Sequence, residues 1–128
     1  MDNKKELIEY IEKIQTFDKD SAQDATVLHA YLVELTNIMA RSNLLMAEYK
    51  REFRKNKKDA YLKLTASSHS QQQYFAPTLA KDFIDAQCGE IGYMFDLAER
   101  CSRLCTHTID AIRTIVSSLK SERQFANY

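Results

Sequence analysis

The sequence predicts an all-α protein: a long, coiled-coil-like antiparallel helical hairpin with a short N-terminal helix, assembling as a helical-bundle dimer. Three observations lead there. An apolar seam runs through Ala25, Leu28, Leu32, Leu35, Met39, Ser42, Met46, Tyr49, Phe53, Asn56 and Ala60 in alternating steps of three and four. That spacing keeps one stripe of a helix turned towards a partner helix. At about 1.5 Å per residue such a helix is on the order of 50 Å long. A second seam of the same kind passes through Ile84, Cys88, Ile91, Phe95, Ala98, Ser102, Cys105, Ile109, Ile112, Val116 and Leu119. Finally, two glycines and one proline leave a hairpin-rich β fold almost nothing to turn on.

The elements follow in order. Helix 1 is expected over residues 3–16, with Asn3 as N-cap, Glu6 three residues on as a variant of the capping box, and Leu7, Ile8, Ile11 and Ile14 as its apolar stripe. Asp18, Lys19 and Asp20 interrupt the period, and Ser21 followed by Asp24 restarts it. Helix 2 is expected over 21–64. Residues 65–76 carry a polar run, Thr65 to Gln73, with no apolar period, which reads as the turn. Pro77 suits the first position of a third helix over 77–124, since a proline there forfeits no intrahelical hydrogen bond.

A turn centred near Gln72 sets opposite each other residues whose numbers sum to about 144, such as Ala60 with Ile84, Phe53 with Ile91 and Met39 with Cys105. Several of these pairs match a large residue with a smaller one, as interdigitating layers require. Flanking stripes remain at Tyr31, Ile38 and Leu45 and at Met94, Cys101 and Ile115. The short first helix covers only part of them, and a second copy of the chain is the simplest cover for the rest. Gly89 and Gly92 fall inside helix 3, where each costs about 1 kcal/mol relative to alanine. They mark a close approach, a local bend or a binding notch.

A chain of 128 residues with 45% hydrophobic content is sized for one domain over residues 1–128. No apolar run approaches the roughly 18 residues that cross a bilayer, and the first residues lead straight into an amphipathic pattern rather than a signal-peptide core. A cytoplasmic location is expected, in the host cell's cytoplasm if the chain is phage-encoded. Cys88, Cys101 and Cys105 all fall on the third helix and read as small core residues of a reducing compartment rather than a disulfide framework. Net charge is zero but uneven. Residues 1–24 carry seven acids against four lysines, and residues 50–63 carry seven cations against two acids.

The carboxylate pairs Glu48 with Glu52, Asp82 with Asp85 and Asp96 with Glu99 have helical spacing. Magnesium-dependent nucleotide hydrolases built from helices use such pairs, because a hard cation wants several carboxylate oxygens. In this register Glu48 meets Asp96 but Glu52 faces Gly92, so the cage is incomplete and the acids serve better as ion-pair partners of Lys50, Arg51 and Arg54. His29, His69 and His107 are scattered, and His107 points away from Cys105 two residues earlier. There is no HExxH, CxxC or glycine-rich phosphate loop. No catalytic residue, metal ligand or cofactor is expected.

The basic segment carries more weight. Lys50, Arg51, Arg54, Lys55, Lys57 and Lys58 are interleaved with Tyr49, Phe53 and Tyr61, with Tyr74 and Phe75 across the turn. Cations neutralise phosphates, and exposed rings stack on unpaired bases. These six cations are the candidate nucleic-acid contacts. The competing reading is a solvated face whose charge Asp82, Asp85 and Glu90 neutralise.

The pattern of Tyr93 to Glu99, Ile109 to Arg113 and Ser118 to Gln124, with the basic segment Tyr49 to Lys58 before it, resembles small all-helical phage and prophage proteins. These are often encoded near single-strand annealing recombinases and single-strand-binding proteins. The likeness spans residues 45–124 and is one of pattern; helix 1 and the polar turn lie outside it. It implies a neighbourhood in phage DNA recombination or replication and no catalytic residue. The expected function is a non-enzymatic accessory protein that contacts nucleic acid. The alternatives are an adaptor for a protein partner, in a virion or against a host factor, and the discounted hydrolase.

Overall fold

The computed structural model describes residues 2–17, 24–71 and 76–126, with the side chains of 67–71 and 125–126 set aside. Among the described residues every regular element is helical: α1 (Asn3–Gln15), α2 (Ala25–Gln71), α3 (Pro77–Gln87) and α4 (Gly89–Ala126). The two long helices, α2 and α4, pack against each other, so the all-α hairpin is as expected. None of the helices is long and apolar enough to cross a membrane. The chain forms two compact units, Met1–Leu44 with Leu97–Tyr128 and Leu45–Asp96.

The helix boundaries differ from expectation in ways that local chemistry explains. Asp2, not Asn3, caps α1, because its side chain accepts the N–H of Lys4 at 3.0 Å. Glu6 is thereby released from capping and bonds Tyr10 and Arg41. Asp24 opens α2, with its carboxylate on the N–H of Thr26 at 2.9 Å. Ser21 lies outside the described residues, as do Asp18 to Asp20 and the turn centre at Gln72. The polar run does not end α2 at Leu64: residues 65–71 continue the helix. The run holds neither glycine nor proline, and the hydroxyl of Thr65 donates to the carbonyl of Tyr61 at 2.9 Å. Extending an existing helix costs little per residue.

The third expected helix is two. Cys88, at φ −101° and ψ 11°, separates α3 from α4 immediately before Gly89, a residue that favours the helix less than any other but proline. The interruption is one residue wide. The N–H of Cys88 still reaches the carbonyl of Ile84 at 3.1 Å, and that of Gly92 reaches the carbonyl of Cys88 at 2.8 Å.

In the first unit α1 runs antiparallel to the start of α2. Glu6 pairs with Arg41, Lys13 pairs with Glu34, and the ring of Phe17 stacks on that of Tyr31 at 4.4 Å. Leu7, Ile14, Leu28, Leu35 and Ile112 are buried there. Contacts of α2 with α4 in this unit, Ser42 with Cys101, Asn43 with Ser102 and Met39 with Thr106, all lie within one residue of the expected register. Of the flanking-stripe residues, Ile38 and Cys101 are buried in this unit, and Leu45 and Met94 are buried in the second. The other two residues of the flanking stripes, Tyr31 and Ile115, are partly buried.

In the second unit Ala60, Ile84 and Cys88 form a buried cluster, with Phe53 and Ile91 packed on it. A side chain at Gly92 would stand 3.3 Å from the ring of Phe53. It is the seam residue Phe53, not Glu52, that faces Gly92, because the side of α2 that meets the neighbouring helices is the apolar one. Gly92 thus marks the close approach and Gly89 the interruption.

Candidate functional site

The site lies wholly within the second unit. The six candidate cations stand on one stretch of α2, all exposed, and helical geometry separates them. Steps of four and three put Lys50, Arg54 and Lys57 on one stripe, which Tyr61 extends. Arg51, Lys55 and Lys58 form a second stripe about a quarter-turn round the helix.

The first stripe borders a groove of about 660 Å³, inside the roughly 300–1,000 Å³ range of small-ligand sites. On the α2 side it is lined by Lys50, Phe53, Arg54 and Lys57. Opposite stand Asp85, Cys88 and Gly89 from the end of α3 and the interruption, and then Gly92, Tyr93, Phe95 and Asp96 from the first turns of α4. The lack of a side chain at Gly89 leaves room there, while at Gly92 the ring of Phe53 takes the space. At Gly89 an added Cβ would meet nothing within 4 Å.

Three cations thus share a concavity with three aromatic rings. The ammonium of Lys57 stands 6.0 Å from the centre of the Phe53 ring, at the outer limit of a cation–π contact. Tyr93 lines the groove and is 44% exposed. Among the described residues no carboxylate lies within 4.0 Å of the charged nitrogens of Lys50, Arg54 or Lys57. The neutralisation expected from Asp82, Asp85 and Glu90 does not take the form of ion pairs.

The other candidates lead elsewhere. Tyr49 is core, Tyr61 is 58% exposed, and Tyr74 and Phe75 lie outside the described residues. Glu48 and Glu52 are exposed, and among the described residues no three His, Cys, Asp or Glu side chains stand close enough to hold a metal ion. His29 and His107 are exposed and the side chain of His69 lies outside the described set.

The three cysteines are free thiols and buried. Cys101 accepts hydrogen bonds from Cys105 and Ser42, which lower its pKa against the opposing effect of burial. Donation to Cys101, and burial, push Cys105 up. With Cys101 and Cys105 fully enclosed, this pair is a polar stitch inside the first unit with no access for a substrate. A second cavity, about 400 Å³ between α2 and α4 of that unit, carries Arg113 as its one lining cation among the described residues.

No protein-family model, curated protein or solved structure matches the chain. Function must therefore be argued from the groove itself. Lys50, Arg54 and Lys57 were legible as a basic segment, but Tyr93, Phe95 and Asp96 were not assigned to the site. The expected register carried the signal that could have found them, since it already brought this part of α2 opposite the residues near 91–95.

Proposed function

We propose that this chain is a non-enzymatic accessory protein that contacts nucleic acid through the groove bordered by Lys50, Arg54 and Lys57. What carries the reading is the coincidence, in one recess, of three aromatic rings with three cations that have no carboxylate within 4.0 Å among the described residues. Cations bind the phosphate backbone by releasing its counterions, and rings add stacking wherever a base is unpaired. The resemblance in helix pattern suggests the setting, phage or prophage recombination or replication in a host cytoplasm. The stripe Arg51, Lys55 and Lys58 adds attraction at longer range and makes no part of the recess.

The test is a fluorescence-anisotropy titration of labelled DNA at about 50 and 200 mM salt. Two folded triple variants are compared with the parent: Lys50, Arg54 and Lys57 to Gln, and Arg51, Lys55 and Lys58 to Gln. The expected outcome is binding that weakens with salt, is lost in the first variant and falls by less than tenfold in the second. Equal losses in the two variants, or no binding by the parent at low salt, overturn the reading.

The protein-adaptor alternative has one observation in its favour. Leu79 is 61% and Phe83 is 38% exposed, one turn apart on α3. A partner protein that binds the parent, fails to bind a Leu79→Ser, Phe83→Ser double variant and is indifferent to the basic triple variant would favour it.

A further inference from the structure

The groove is more specific than a basic surface, and its chemistry is divided by side. Resting on the nucleic-acid reading above, we infer that it takes single-stranded nucleic acid, with one unpaired base held in the notch at Gly89 and its neighbouring phosphates on the α2 stripe.

Three features point to this occupant. The first is shape. In a duplex the faces of the bases are stacked on one another, so rings set in a recess find nothing to stack on; an unpaired base can enter and meet a ring face. The second is the division of charge. Lys50, Arg54 and Lys57 stand along α2 over about 10 Å of helix, a length matched to successive phosphates and longer than a single one needs. Asp85 and Asp96 belong to the opposite wall. A carboxylate repels phosphate but accepts N–H donors, so the backbone is steered to the α2 side and the base edge to the acids. The exocyclic amines of cytosine and adenine are such donors. The third is the floor. Cys88 is buried, Gly89 has open space where a Cβ would be, and Gly92 lets the Phe53 ring approach. The notch therefore lies at Gly89, with the Phe53 ring drawn in beside it at Gly92.

The probes are a labelled 16-nucleotide oligodeoxycytidylate, an abasic strand with the same number of phosphates, and a duplex of the same length. The parent protein is expected to bind the oligodeoxycytidylate at least tenfold more tightly than either comparator, the effect of about one stacked base. Gly89→Leu fills the notch from open space and replaces a poor helix former with a good one. It is expected to lower affinity for the oligodeoxycytidylate about tenfold and so to narrow its preference over the abasic strand. Tyr93→Leu, which removes a half-exposed ring and keeps an apolar side chain, is expected to act in the same direction.

Equal binding of cytidylate and abasic strands by the parent overturns the base-in-notch inference while leaving the phosphate contact intact. So does undiminished cytidylate binding by Gly89→Leu. Tighter binding of the duplex overturns it as well. Absence of binding to all three probes at low salt removes the nucleic-acid reading and the inference with it. The comparison of the three probes on the parent protein needs no variant to fold.

Discussion

At the residue scale, a well-connected polar contact among the described residues is the one around Glu6. The Arg41 guanidinium donates to both of its oxygens, at 2.8 and 3.3 Å, and the hydroxyl of Tyr10 donates to one of them at 2.8 Å. The bond from Arg41 holds the Glu6 carboxyl below the usual range, more than offsetting the opposing effect of burial, and Tyr10 adds to the lowering. Burial first, and then donation to Glu6, raises Tyr10. A carboxyl whose pKa is lowered by folding stabilises the fold above its unfolded value, near 4.3, and that contribution disappears as pH falls through the folded one. Glu6→Gln is therefore expected to cost about 1 kcal/mol at pH 7, the magnitude of a forked but partly exposed ion pair. The difference from the parent should shrink as pH is lowered below about 4. Urea melts of the two proteins at pH 7, 5 and 3.5 check it; a pH-independent difference would mean that Glu6 acts through packing.

At the element scale, α3 and α4 show how one glycine position differs from another three residues away. Gly89 follows the interruption and has open space beside it, whereas Gly92 lies against the ring of Phe53. Gly89→Ala is expected to stabilise the protein by up to about 1 kcal/mol, because alanine restricts the unfolded chain and prefers the helix. Gly92→Ala receives the same propensity gain but places a methyl 3.3 Å from the Phe53 ring, so its net effect should be smaller or of opposite sign. Chemical denaturation of both variants orders them. The same scale explains the flanking stripes. A two-helix hairpin leaves the row of Ile38 and Leu45 open, yet Leu45 is fully buried and Ile38 nearly so. At Ile38 the apolar face of α2 is wider than the single seam suggests, because in the first unit α1 and α4 both meet it.

At the scale of the whole molecule, formal neutrality hides the property that matters for binding. The chain has 18 cations and 18 acids, so net charge alone attracts no polyanion and any affinity must come from local arrangement. If Lys50, Arg54 and Lys57 each neutralise one phosphate of a single strand, removing them should reduce the slope of log K against log salt by about 2. Titrations across four salt concentrations measure that slope. A slope unchanged in the variant would mean that the phosphates are held elsewhere. Each compact unit has buried residues of its own, and the groove belongs to the unit that carries the basic segment.

The sequence alone determined the helical class, the two seams, and a register that Ser42 with Cys101 and Asn43 with Ser102 meet to within one residue. These follow from periodicity, which is a local property written directly into residue order. It also located the basic segment and singled out Gly89 and Gly92. Tertiary structure decided the rest. Whether Glu6 caps its own helix or pairs with Arg41 depends on a residue 35 positions away. Whether a polar run ends a helix depends on whether anything stops its propagation, and nothing in residues 65–71 does. The division of six cations into a stripe on a groove and a stripe beyond it required the opposite wall. Tyr93, Phe95, Asp85 and Asp96 give those cations a recess, and they come from other elements that only packing brings alongside.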